Sequence, residues 1–215
     1  MKKLLIFPYN GNALEAVDCL GDQFELVGFI DDTVSRQGDT PYGVKVYDRS
    51  ALEMFPDAFV LAVPGSAVSF PKRHEHIASL GIPDERLVSV IHPSARIGRQ
   101  VRIGRNCLIM AGVVITSNAV IGDHVCILPN SVVHHDSRIN DYTLIGSNVA
   151  VAGGTTIGNN CYIGSGTNVI NGISIGEFTL IGLGSNVVKS IPPQSRVAGN
   201  PAREIKKPIA HGTQN

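Results

Sequence analysis

From residue 97 to residue 187 every sixth position is Ile or Val: 97, 103, 109, 115, 121, 127, 133, 139, 145, 151, 157, 163, 169, 175, 181 and 187. Sixteen matches in a row without one insertion are not chance. Four residues after each, from Val101 to Ser185, stand only Val, Cys, Ala, Ser, Thr or Ile, all small or β-branched. No helical period survives in this stretch, and the repeat predicts a parallel β-helix built from hexapeptides. Each hexapeptide makes a short strand and a turn, and three close a triangular coil. The aliphatic and the small residue point inward and stack coil upon coil, roughly 4.8 Å apart. Eight of the aliphatic positions are followed by Gly (98, 104, 122, 146, 158, 164, 176 and 182), read here as supplying turn conformations that a side chain resists. Parallel crossovers are right-handed in ~98% of cases, and periodicity by itself does not reveal the hand.

Before the repeat, strand-like and helix-like patches alternate. "KKLLIF", "FELVGFID" and "DAFVLAVP" read as buried strands, with "NALEAVDCL" as a short helix between the first two. "FPKRHEHIASLG" reads as a helix ending on a glycine suited to its C-cap, and "RLVSVIH" as a further strand. This alternation predicts a small parallel, Rossmann-like α/β unit over residues 1–90, followed by the β-helix over 91–205 and a tail over 206–215.

Composition narrows the function classes. Hydrophobic residues make up 43% of the chain, and 18 Lys+Arg balance 18 Asp+Glu, which argues against disorder and against nucleic-acid binding. No run approaches the ~20 apolar residues of a membrane helix. The apolar start "MKKLLIFP" is too short for a signal peptide, so a cytoplasmic protein without membrane insertion is expected. Cys19, Cys107, Cys126 and Cys161 form no CxxC pair and read as buried thiols. Cys107 and Cys161 share one inward position three coils apart, roughly 14 Å, too far for a disulfide. No metal site is expected.

The chemistry concentrates in "VVHHDSRI" at 132–139. Out of context, two histidines before an acid are a solvated turn. Within the repeat, Val133 faces the core, so His134 projects from a flat face as groove wall or surface residue. His135 and Asp136 fall in a turn at an edge of the prism. One coil of 18 residues further lies Gly153, in "VAGGTT", whose unobstructed N–H suits an oxyanion. His92 and His124 read as structural, and His74 and His76 as solvated.

The hexapeptide repeat, "IHPSARIG" at 91–98, His135-Asp136 and "VAGNPAREI" at 197–205 together resemble the left-handed β-helix acyltransferases. The chain is most similar to the subgroup of sialic acid O-acetyltransferases and nucleotide-amino-sugar N-acetyltransferases. The resemblance spans nearly the whole chain. It implies a left-handed coil and a homotrimer that binds acetyl-CoA in the groove between neighbouring β-helices. His135 would be the general base, because a neutral imidazole suits removal of the proton from an attacking amine. Asp136 would support it, and acyl transfer would be direct, without an acyl-enzyme. Acetyl-CoA is assigned to Gly153, Leu144, Ser165 and Leu183. A nucleotide-linked sugar is assigned to Asn10, Gly11, Asn12, Asp31, Asp32 and Ser66, with Asn12 expected to cap the first helix and leave N–H groups for phosphate.

The chain also departs from that pattern. Leu144 stands where the family often has a second histidine, Leu128 where it often has Asn, and "FPYNGNALEA" replaces a glycine-rich loop. An ordinary loop at Asn10–Asn12 is the alternative there. The favoured acceptor is a sugar amine, the rival within the class is O-acetylation of sialic acid or another surface sugar, and the rival outside it is a non-catalytic scaffold with a ligand-sensing domain. A β-helix carbonic anhydrase would need three converging histidines, and the sequence does not clearly offer them.

Overall fold

The computed structural model describes residues 1–205; the expected tail over 206–215 lies outside the described residues. Its amino-terminal part contains β1 (Lys2–Phe7), α1 (Gly11–Val17), β2 (Phe24–Ile30), β3 (Gly38–Asp39), β4 (Lys45–Tyr47), α2 (Ala51–Met54), β5 (Phe59–Ala62) and α3 (Arg73–Ala78). The sheet order is β3-β4-β2-β1-β5. All pairings are parallel except the edge hairpin between β3 and β4. The continuous apolar runs of β1, β2 and β5 are buried, as a parallel sheet covered on both faces requires. Gly81, at φ +63°, terminates the α3 segment with its N–H on Ala78 O. The stretch "RLVSVIH" is not one strand of this sheet. Leu87 bridges Val60, but Val90–Ile91 pairs with Leu108–Ile109 and already belongs to the coil.

From Val90 to Val187 each coil strand pairs in parallel with the strand 18 residues away, as in Ile115↔Val133 and Val133↔Val151; the last coil is shorter, with Leu180 paired to Arg196 and Ile175 bridged to Ile191. The first face runs from Val90–Ile91 through Leu180–Ile181 and closes with Arg196–Ala198 and Arg203–Glu204; the second runs from Arg96–Ile97 to Asn186–Val187, and the third from Arg102–Ile103 to Ser174–Ile175. The expected aliphatic positions form one dry column, open only at its first rungs, where Ile97 is 40% exposed.

The small inward residues include Ser131, Ser137, Thr143, Thr155 and Thr167, and all five are buried. Each hydroxyl donates to a main-chain carbonyl 15 residues on; Ser131 reaches Gly146 O at 2.6 Å and Thr143 reaches Gly158 O at 2.8 Å. A hydroxyl is therefore tolerated in the apolar core because its partner is built into the next rung.

The glycines after the aliphatic positions play a different part from the one expected. None of these eight has positive φ. A Cβ on Gly146 would lie 2.5 Å from Ser165 N, and one on Gly158 2.5 Å from Glu177 N, so these sites are glycine because the next rung's main chain passes too close. The left-handed conformation falls two residues later, at Asn118, His124, Asp136, Tyr142, Gly154 and their equivalents.

The α/β unit covers the first face. Leu4, Ile6, Phe29 and Phe70 share one buried cluster with Leu108, Met110, Cys126 and Leu144. All four cysteines are free and buried, and burial pushes the Cys126 and Cys161 thiols up to about 12. Among the described residues no helix is long and apolar enough to cross a membrane.

Because the column closes around its middle rungs, Ile145→Ala (1% exposed) should cost about 2–5 kcal/mol in denaturant unfolding, and Ile97→Ala clearly less. Equal losses at both positions would contradict a column sealed at the centre and open at its start.

Candidate active site

His135 and Asp136 form the turn between Val132–Val133 on the second face and Arg138–Ile139 on the third. His135 Nδ1 lies 2.7 Å from Asp136 Oδ2, and Asn118, one coil earlier, donates from Nδ2 to Asp136 Oδ1 at 3.0 Å. These two bonds, His135's being the stronger influence, hold the Asp136 carboxyl below its usual range. His135 Nε2 therefore remains available. His134 is exposed on the flat second face.

Gly153 lies directly under the ring. A Cβ there would stand 2.7 Å from both Cε1 and Nε2 of His135. On the other two edges the corresponding N–H is capped by the side chain one coil on: Asp123 Oδ1 for Arg105, Asp141 Oδ1 for Asp123, Ser165 Oγ for Ser147. Glycine has no such side chain to offer His135 N–H. Gly153 N–H itself has no protein acceptor among the described residues. The edge thus presents an imidazole braced by a carboxylate beside an uncommitted main-chain donor.

The remaining expected residues gather elsewhere. Leu144 is buried on the first face and lines a cavity of about 120 Å³ with Asn12, Gly65, Ser66, Leu128, Gly146 and Tyr162. Ser165 and exposed Leu183 occupy successive rungs of the neighbouring edge, between the first and second faces. One chain does not bring this group to His135, because a full prism face separates the two edges.

At the tip of the α/β sheet, Asn10 rather than Asn12 caps α1, its Oδ1 accepting from Ala13 N at 2.9 Å. Asn12 faces β5 instead, its Nδ2 on Val63 O at 3.4 Å, and Gly11 opens the helix. β1 ends where expected, at Phe7, but α1 starts at Gly11 and so before the expected Asn12, which moves the cap to Asn10. Asp31 is 3% exposed and accepts from Thr33 N (2.8 Å) and Arg36 Nη1 (3.4 Å). Asp32 takes a two-pronged bond from Arg49 (2.7 and 2.8 Å), which lowers its carboxyl, and stays half exposed. Ser66 Oγ accepts from Val68 N and Ser69 N and so shapes its own loop.

Sequence reasoning missed Arg73. It is 1% exposed, lacks a carboxylate partner, and donates to Tyr142 O (2.9 Å), His124 O (2.6 Å) and Pro64 O. Burial pushes its guanidinium down to about 10, still charged at neutral pH. It thereby ties the Gly65-Ser66 loop to the coil carrying Tyr142–Leu144. Nothing in "FPKRHEHIASLG" distinguishes it from its charged neighbours. His74, expected in solvent, is half-buried: its ring meets Tyr142 edge-on and its Nδ1 is buried without a partner. His124 does have a structural place, stacked on Tyr142 at 4.5 Å.

The bacterial transferase hexapeptide family (six repeats) matches residues 118–153. No curated protein matches the chain by sequence. Among solved structures, it is similar to perosamine N-acetyltransferase from Caulobacter crescentus, solved with CoA and GDP-perosamine as a variant lacking one histidine (28% identity, 96% of this chain and 98% of that chain, TM-score 0.83). It is also similar to the acetyltransferase domain of PglB from Neisseria gonorrhoeae in complex with acetyl coenzyme A (25%, 95% and 99%, 0.83). WeeI from Acinetobacter baumannii aligns over 95% of this chain and all of its own (25%, TM-score 0.79). The chain is a hexapeptide-repeat acyltransferase: an α/β unit followed by a left-handed parallel β-helix.

Gly153→Ala isolates the stacking at the edge. Gly153 has an ordinary φ and the added methyl meets only a side chain, so the melting temperature should change little while the His135 ring is displaced. Transferase activity should fall at least tenfold; full activity would mean that this ring position is immaterial.

Proposed function

We propose that the protein is an acetyl-CoA-dependent N-acetyltransferase acting on the amine of a nucleotide-linked amino sugar. The observation that supports this most directly is the uncommitted Gly153 N–H beneath a His135 ring held by Asp136. The likeness to enzymes solved with CoA, acetyl coenzyme A and GDP-perosamine supports the substrate classes.

In this reading a neutral sugar amine attacks the thioester carbon. As the C–N bond forms, the carbonyl oxygen takes the negative charge and accepts a hydrogen bond from Gly153 N–H. His135 Nε2 receives the amine proton while Nδ1 stays on Asp136, whose carboxylate favours the imidazolium. Collapse breaks the C–S bond, and the imidazolium returns the proton to the departing thiolate. The products are the amide and free CoA, with no acyl-enzyme between.

Residues 91–205 carry this chemistry, and residues 1–90 hold the nucleotide-linked sugar through the loops bearing Asn10, Gly11, Asn12, Asp31, Asp32 and Ser66. Asp31 shapes its loop from within, and Asp32 remains the more accessible carboxylate. Leu144, Ser165 and Leu183 contact acetyl-CoA from a neighbouring copy, since in one chain they lie a face away from His135. The working unit is therefore a homotrimer, and it acts in the cytoplasm, where acetyl-CoA is supplied.

His135→Ala should lower kcat by ~10²–10⁴ with the fold intact. His134→Ala should cost far less, and Asp136→Asn should fall between them. Thiol release from acetyl-CoA with a panel of nucleotide amino sugars and free sugars measures this. An active His135→Ala beside a dead His134→Ala would overturn the assignment.

A further inference from the structure

The chain has eleven arginines and a net charge of zero, yet its arginines are unevenly committed. Arg36 pairs with Asp31, Arg49 with Asp32, and Arg105 with Asp84 and Asp123. Arg73 and Arg86 cap main-chain carbonyls. Among the described residues the guanidinium groups of Arg96, Arg99, Arg102, Arg138 and Arg196 have no ion pair or hydrogen bond, and Arg102 and Arg138 share one groove. Arg99 lies two rungs above His135 in the same edge column, and Arg96 opens the second face beside it. Arg102 and Arg138 both pair in register with Val120 on the third face, two rungs or roughly 9.6 Å apart. They line a groove of about 740 Å³ together with Gln100, Asn118 and Asp136. The one acid in the groove, Asp136, has both carboxylate oxygens engaged by His135 and Asn118, and two guanidinium groups outnumber it.

We infer that this groove binds the diphosphate of the sugar acceptor, with Arg102 and Arg138 as its phosphate-recognising residues. The inference rests on the acetyl-transfer reading above. Unpaired guanidinium groups on a wall next to a reacting imidazole select an anion, and their planar forks match phosphate oxygens. Position decides which substrate supplies it. The thioester oxygen belongs at Gly153, one rung beyond His135, and the edge continues from there through Gly154, Asn171 and Gly172 to a single ammonium, Lys189, with no guanidinium fork among them. Arg96, Arg99, Arg102 and Arg138 lie toward the opposite end, on Arg99's side of His135 or beside it, whereas Arg196 belongs to the last strands of the first face. In a direct transfer the two substrates flank the imidazole, so the phosphates on the arginine side belong to the acceptor and not to CoA. A sugar amine at His135 with its diphosphate along the third face then needs no basic residue from the coil's far end.

The test is equilibrium titration of the full chain with UDP, GDP, inorganic pyrophosphate and CoA, for wild type, R102Q/R138Q and R102K/R138K. Both side chains are exposed, so the variants should keep the wild-type circular dichroism and melting temperature. UDP or GDP should bind wild type and bind R102Q/R138Q roughly ten- to hundredfold more weakly, with R102K/R138K between and CoA unchanged. A loss confined to CoA would assign the arginines to the cofactor and overturn the inference. So would wild type binding neither nucleotide, or the variants binding them equally well. The readout is binding, so absence of transferase activity, which would sink the function proposed above, would leave this result interpretable.

Discussion

Rung-on-rung registration of the coil is the constraint on which the rest of this structure depends. Through the middle coils each residue lies over the one 18 positions on, and the pairing of Val133 with Val151 is what sets Gly153 under His135. The same registration places Asn118 against Asp136 and sets Arg102 and Arg138 on either side of Val120. An insertion of one residue in any coil before His135 would leave the aliphatic column broken and the edge columns out of step. The dry interior and the reactive edge are thus held by one set of main-chain hydrogen bonds. Chemistry is written on the edges because turn residues are the positions that the column leaves free.

The second constraint is how the α/β unit is fixed to the first face. Apolar contact supplies the area, through Phe70, Leu108, Cys126 and Leu144. Arg73 supplies the register: a fully buried guanidinium without a carboxylate is expensive, several kcal/mol for an unpaired ion, and becomes tolerable only because three carbonyls from two parts of the chain converge on it. That convergence sets the Ser66 loop beside Leu144 and Gly146 at the small cavity. The Ser66 loop and the coil are therefore positioned by one buried side chain.

The coil was legible because its period has no competing explanation, and Val133 inward settled where His134 and His135 point. The inward Ser and Thr were legible as small, though not as hydrogen-bonded, since their acceptors lie in the following coil. The repeated Ile-Gly pairs misled: close approach of the next rung and a left-handed turn both call for glycine, and only coordinates separate them. Asn10 and Asn12 were interchangeable as caps by spacing alone. Arg73 carried no signal, because its partners are carbonyls, which no side-chain pattern records. The separation of Leu144, Ser165 and Leu183 from His135 was not visible either, since the sequence gives each residue's rung more readily than which edges meet.

That separation yields the most direct test of the central claim, that a working site joins the His135 edge of one copy to the Ser165 edge of another. His135→Ala removes one half, and Ser165→Trp, at an exposed turn, obstructs the other. Each variant alone should be inactive while remaining folded. Subunits mixed by co-expression should regain a substantial part of wild-type activity, because some sites then combine an intact His135 with an intact Ser165. Mixed subunits as inactive as either variant, with co-assembly verified by mass, would contradict a site shared between copies.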